Sequence, residues 1–170
     1  MLAIMLRAVE PDDLEVFYRQ QADPVANAMA AFPARDRTAH EAHWRKLLAD
    51  DSLMVRTVVD GGEVVGHVGS WVGDGARQVS YWIGREHWGR GLATRALAEF
   101  VAEIDERPLH ARVAEHNGAS IRVLTKCGFS IVGTHQEPGD PVTEVLLRLD
   151  EPPRGTPGVG TEAPSAPPCT

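Results

Sequence analysis

The stretch Trp88-Gly89-Arg90-Gly91-Leu92-Ala93-Thr94 holds the residues whose types and spacing best suit chemistry. Upstream, Val79, Tyr81 and Ile83 alternate with Ser80 and Trp82, the period of a strand. Downstream, Leu92, Ala93, Ala96, Leu97, Phe100, Val101 and Ile104 recur at helical spacing. A strand, a glycine-rich turn and a helix in that order aim free backbone N–H groups and the positive end of a helix dipole at one point. That is an anion site, and a diphosphate suits it. Glycine at 89 and 91 lets a phosphate approach a chain with no Cβ in the way. The dinucleotide fingerprint is not met, because the small residue after Gly91 is Ala93, and no Gly-Lys-Ser/Thr phosphate loop follows.

A second stretch places polar residues at the start of a helix. Leu109 to Ala114 reads as a short strand and Asn117-Gly118-Ala119-Ser120 opens a helix. That helix runs through Ile121, Val123, Leu124 and Cys127 to Gly128, and Phe129 begins another strand. Asn117 lies 26 positions after Gly91. Gly89-Arg90-Gly91-Leu92-Ala93 resembles motif A of the GNAT superfamily of N-acetyltransferases. Trp88 stands where that motif usually has Arg or Gln, as it does in the branch resembling the RimJ/RimL ribosomal-protein acetyltransferases. The run from Glu115 to Phe129 is similar to the superfamily's other hallmark. The resemblance extends over roughly residues 4 to 150.

The resemblance implies an acyl-CoA-dependent N-acetyltransferase that moves an acetyl group from acetyl-CoA to a primary amine by direct attack. The acceptor would be a protein N-terminus or a small-molecule amine. The backbone of Tyr81, Trp82 and Ile83 would pair with the pantetheine arm as a pseudo-strand. The N–H groups from Gly89 through Arg90, Gly91, Leu92 and Ala93 to Thr94 would hold the diphosphate, with the Arg90 side chain adding charge. Asn117 would bond pantetheine or simply cap its helix. Arg122 and Lys126 would approach the ribose phosphate. Many relatives protonate the leaving thiolate with a Tyr seven residues after the Asn, but that position is Leu124 here. Ser120, three after the Asn, is the catalytic candidate in its place. The Glu base of some relatives is replaced by Arg112, which leaves His67, His110, Glu115, His135 or a water relay. Two other readings remain: a non-catalytic CoA-binding regulatory module, or a transferase using a longer acyl-CoA such as succinyl-CoA, with Arg112 or Arg35 facing the added carboxylate.

Around these stretches the pattern implies an α/β fold, with the site's strands in a mixed, mostly antiparallel sheet of about seven strands and about four helices. A first strand is expected from Ala3 to Val9 and a helix from Pro11 to Gln21. Asp23 to Asp36 reads as a loop with one helical turn. Thr38-Ala39-His40-Glu41 matches a capping box opening a helix to Ala49. Strands over Leu53–Val59 and Glu63–Val72 flank the hairpin signal Asp60-Gly61-Gly62, and Arg77–Ile83 extends the meander. The central helix is expected from Gly91 to Asp105, stopped by Pro108, and the last strand over Val142–Leu149. The resemblance adds that the strands carrying Tyr81 and Leu109 run parallel and splay apart. It also assigns the first two helices to the acceptor wall, with Phe32, Arg35, Asp36, Arg37, His40, His43 and Trp44.

Composition bounds the rest. The 170 residues suit one domain over 1–150, with a Pro/Gly-rich tail over 151–170 expected to be disordered. A net charge of -7 argues against nucleic acid as a partner. No apolar run approaches the roughly 18 residues of a membrane span, and a cytoplasmic monomer or homodimer is expected. Cys127 and Cys169 provide neither a disulfide framework nor a metal site.

Overall fold

The computed structural model describes residues 3–151. Its strands are β1 (Met5–Arg7), β2 (Met54–Asp60), β3 (Glu63–Gly73), β4 (Ala76–Ile83), β5 (Leu109–Ala114), β6 (Ser130–His135) and β7 (Glu144–Leu149). Its helices are α1 (Asp13–Gln21), α2 (Pro24–Ala30), α3 (Arg37–Leu48), α4 (Leu92–Ala102) and α5 (Gly118–Lys126), with a 3-10 turn at Arg85–His87. The strands form one seven-stranded sheet in the order β1-β2-β3-β4-β5-β7-β6. Every neighbouring pair is antiparallel except β4 and β5.

That exception makes the site. β4 and β5 pair only at Arg77 with Leu109 and Gln78 with His110, and beyond these positions the ladder stops. The strands splay as expected, so the far half of β4 faces a gap where a neighbour would otherwise lie. Helix α4 covers this region from one side. Leu92, Ala96, Leu97, Phe100 and Val101 are all buried, and they pack into one core with Val68, Val79 and Ile83 of β3 and β4. Burial of each larger side chain contributes about 1.5–3 kcal/mol. A separate aromatic cluster, Phe17 of α1, Trp44 of α3 and His67 of β3, holds α1 and α3 to the sheet. Asp13 pins α1 more firmly. Its buried carboxylate accepts two bonds from the Arg7 guanidinium, one from the Glu10 N–H and one from the Thr57 hydroxyl. Burial alone would push its carboxyl up, but these donors outweigh that and hold it below the ordinary range.

The helices differ most from expectation. Five are present among the described residues, rather than four. The segment read as a loop with one helical turn contains the seven-residue α2: the Asp23 side chain accepts from the Val25 and Ala26 N–H groups, and Pro24 sits in the first turn. Helix α3 is capped by Asp36, whose Oδ1 accepts from the Ala39 N–H at 2.8 Å, so Thr38 lies inside the helix. Helix α4 ends at Ala102, short of Asp105 and well before Pro108. There the Arg107 guanidinium donates to the carbonyls of Val101 and Ile104, covering acceptors that the helix end leaves open. The first and last strands are shorter than expected, and α1 starts at Asp13 rather than Pro11. The tail expectation, apart from Glu151, lies outside the described residues.

Candidate functional site

A cavity of about 540 Å³ opens between the far end of β4, the turn before α4, and the first turn of α5. Tyr81, Trp82 and Ile83 border it on the strand side. Gly89, Gly91, Leu92, Ala93 and Thr94 border it at the turn, and Asn117 and Ser120 at α5. Of the residues expected from sequence to hold acetyl-CoA, only Arg90 stays off its wall. Its guanidinium pairs with Asp60 and approaches His87 Nδ1 instead.

The turn is built as an anion site requires. Gly89 and Gly91 both take positive φ, 74° and 72°, and a Cβ on either would meet open space, so the path to the backbone is clear. The first helical bond of α4 is from the Arg95 N–H to the Gly91 carbonyl. The N–H groups of Leu92, Ala93 and Thr94 therefore precede the helical ladder. The Trp88 indole N–H donates to the Ile83 carbonyl at 2.9 Å, which fastens the turn back onto the end of β4. Arg122 and Lys126, on α5, bring two cations to the same wall.

The strand side is more selective than expected. The Gly84 N–H bonds the Val65 carbonyl of β3, which makes Ile83 and Gly66 a pair whose main chains point away from each other. By alternation the main chain of Trp82 faces β3, while that of Tyr81 faces the gap. The Ile83 carbonyl is already taken by Trp88. Tyr81 is thus the residue of the three that offers both an N–H and a C=O to an extended guest.

At α5, the Asn117 side-chain oxygen accepts from the Ser120 N–H at 3.2 Å. Asn117 caps its helix and is buried on the cavity wall. The Tyr81 hydroxyl donates to Ser120 Oγ at 2.8 Å across the cleft. Burial pushes the Tyr81 phenol above its ordinary value, which keeps it protonated.

A second, smaller space of about 130 Å³ lies in the splay between β4 and β5 and shares Tyr81, Asn117, Ser120 and Ala30 with the first. Its notable polar residue is Glu144, from the start of β7. Arg112 borders it too, with its guanidinium 2.8 Å from Asp74 and 3.8 Å from Glu144. Arg35 lies over the Phe32 ring, whose edge meets Trp82. Neither arginine is held toward the cavity as an unpaired cation.

None of His67, His110, Glu115 and His135 borders either space. His67 is enclosed between Phe17 and Trp44, and burial drives its pKa down to about 3, so it remains neutral. His135 is held by Glu137 on the surface. Of the wall expected from α1 and α3, His40 and Trp44 are buried in the packing, and Arg37 pairs with Glu15. The residues that the sequence did not single out are Glu144 and the hydroxyl of Tyr81. The period-two pattern places the Tyr81 side chain on a face with Val79 and Ile83, but nothing local connects it to a helix 39 positions later.

Comparison with known proteins bears on this geometry. A family model described as an acetyltransferase (GNAT) domain matches residues 3–130. The chain is similar to the uncharacterized N-acetyltransferase p20 of Bacillus licheniformis, 26% identical over 144 residues, which are 76% of this chain and 80% of that protein. Among solved structures, the spermidine N-acetyltransferase from Vibrio cholerae in complex with CoA and spermine matches with a TM-score of 0.74. Its identity is 18%, over 86% of this chain and 95% of that one. AAC(6')-Ib in complex with ribostamycin and coenzyme A matches with a TM-score of 0.72 at 22% identity, over 87% and 93% of the two chains. At these identities the two structures show a shared fold.

Proposed function

We propose, from the premise that this chain belongs to the GNAT acetyltransferase domain family, that it transfers an acetyl group from acetyl-CoA to a primary amine by direct attack. The observation that carries this reading is a pair of adjoining spaces that share Tyr81 and Ser120, with a glycine turn suited to an anion at one end, an open strand edge in the middle, and a carboxylate beyond the splay. Acetyl-CoA, as donor substrate, supplies the activated acyl group. The residues present fit it: the turn from Gly89 to Thr94 offers N–H groups free of Cβ obstruction, and Arg122 and Lys126 add charge. Tyr81 offers main-chain groups to the amides of the arm.

The splay then brings the acyl carbonyl beside Ser120. Ser120 donates a hydrogen bond to the sulfur as the carbon–sulfur bond breaks. Glu144, at the other mouth of the gap, draws in the acceptor ammonium and takes its proton directly or through one water. Cys127 does not act as a nucleophile, because burial pushes its thiol up to about 11 and it donates to the Thr94 carbonyl.

A cationic acceptor suits the chain's net charge of -7 and the Glu144 carboxylate on the wall of the gap. The spermidine acetyltransferase bound to spermine and AAC(6')-Ib bound to ribostamycin support the same choice. Trp88 ahead of the glycines, and Ser120 with Leu124 in place of a tyrosine, favour the RimJ/RimL-like branch. The test is thiol release from acetyl-CoA against polyamines, aminoglycosides, amino acids and peptides with free N-termini. At least one amine is expected to drive release. Silence across the panel with acetyl-CoA bound would favour a regulatory module, or a longer acyl donor.

A further inference from the structure

We propose that the Tyr81 hydroxyl fixes the direction of the Ser120 hydroxyl, committing the serine proton to the cleft where the sulfur of the acyl donor lies. The inference rests on the transferase reading above and makes Tyr81 a positioning residue acting through Ser120.

The two hydroxyls lie 2.8 Å apart, one on β4 and one on α5, and both residues border both parts of the cleft. A serine hydroxyl has one proton and two lone pairs, and so does a phenol. Facing each other, only one can donate, and the phenol is the stronger acid. Tyr81 therefore gives its proton to the shared bond and Ser120 Oγ accepts it. Burial keeps the phenol protonated, so the proton is there to give. The Ser120 proton is then free to point elsewhere, and among the described residues Ser120 Oγ donates to no protein atom. Its backbone N–H is spent on Asn117, which fixes the first turn of α5 and so the Cα from which the hydroxyl reaches the cleft. A bond accepted from Tyr81 also polarises the serine O–H and strengthens it as a donor.

On the helix itself no such help exists. Leu124, one turn beyond Ser120, is apolar and buried. The second hydroxyl arrives from β4 instead. When the carbon–sulfur bond breaks, its electron pair stays on sulfur and is stabilised by the Ser120 hydrogen bond. The sulfur takes up its proton afterwards from solvent, and Tyr81 keeps its own throughout.

The decisive variant is Tyr81→Phe, which keeps the ring and its packing and removes only the oxygen. Two readouts are needed. With a responding amine, kcat is expected to fall about tenfold, the scale of one hydrogen bond to a charged group, with KM for acetyl-CoA unchanged. Ser120→Ala is expected to fall further, and the double variant no further than Ser120→Ala alone. Without any amine, the thiol of bound CoA can be titrated by the ultraviolet absorbance of its thiolate. A donated hydrogen bond favours the thiolate, so both single variants are expected to raise that thiol's pKa relative to the wild type. Thermal melting and CoA affinity check that the variants fold and bind.

A Tyr81→Phe protein that titrates bound CoA like the wild type would overturn the proposal, as would independent, additive losses in the double variant. No turnover with any amine, alongside the expected titration shifts, would instead fault the transferase reading and leave the positioning intact. A wild type that binds no CoA would overturn both.

Discussion

Glu144 lines the same small space as Ser120, and the proposed transfer gives it the acceptor's proton. If it receives the acceptor, Glu144→Gln keeps the shape and removes the charge. The expected result is a fall in kcat/KM for the amine of roughly 100-fold, the lower end for a positioned base, with acetyl-CoA affinity unchanged. Competition between amine and salt, followed at steady state, checks the electrostatic part. A purely structural Glu144 would show neither effect. His67 has a different consequence at the same scale. Its folded pKa is depressed to about 3, so the unfolded chain binds a proton that the folded one refuses. Stability from this residue is full above the unfolded value, about 6.5, and is lost as pH falls toward 3, at about 1.4 kcal/mol per pH unit. Denaturant titrations at several pH values should show that slope in the wild type and a shallower one in His67→Phe. Equal slopes would remove His67 as its source.

At the scale of elements, the site depends on close approach between β3 and β4. A Cβ added at Gly66 would lie 2.0 Å from the Trp82 carbonyl oxygen, closer than any real contact allows. Gly66→Ala must therefore shift β4, and with it Tyr81. A loss of more than about 2 kcal/mol is expected in denaturant unfolding, together with weakened CoA binding. Retention of both would mean that β4 has more freedom than its pairing implies. The elements also show which signals are local. The turn at Gly89–Gly91 and helix α4 were legible because positive-φ glycines and an i, i+4 stripe declare themselves within a few residues. Helix α2 was legible only as one turn, though Asp23-Pro24 is a sound cap and first turn, because its seven residues, three of them alanine, carry no long apolar stripe. For α3, Asp36 and Thr38 are both good caps two positions apart, and local preference could not choose between them.

For the whole molecule, the sheet order decides what meets what. β7 inserts between β5 and β6, so the last strand among the described residues brings Glu144 opposite Ala114 and to the rim of the gap. β4 and β5 part after two paired positions, and that parting lets a strand hydroxyl reach a helix serine. These are long-range consequences of topology, and composition, spacing and periodicity say nothing of them directly. The family resemblance supplied the splay, the cofactor turn and Ser120, whereas the partners of Ser120 and the carboxylate across from it needed the fold. The central claim is that this cleft passes an acetyl group straight from thioester to amine. It is tested most directly in a single turnover, with the protein mixed with one equivalent of labelled acetyl-CoA and a responding amine, then quenched and weighed by mass spectrometry. The account predicts label on the amine nitrogen, one free thiol for each acetyl moved, and a protein mass that never changes. Label appearing on the protein before the amine, or remaining on bound CoA while the amine is present, would contradict it.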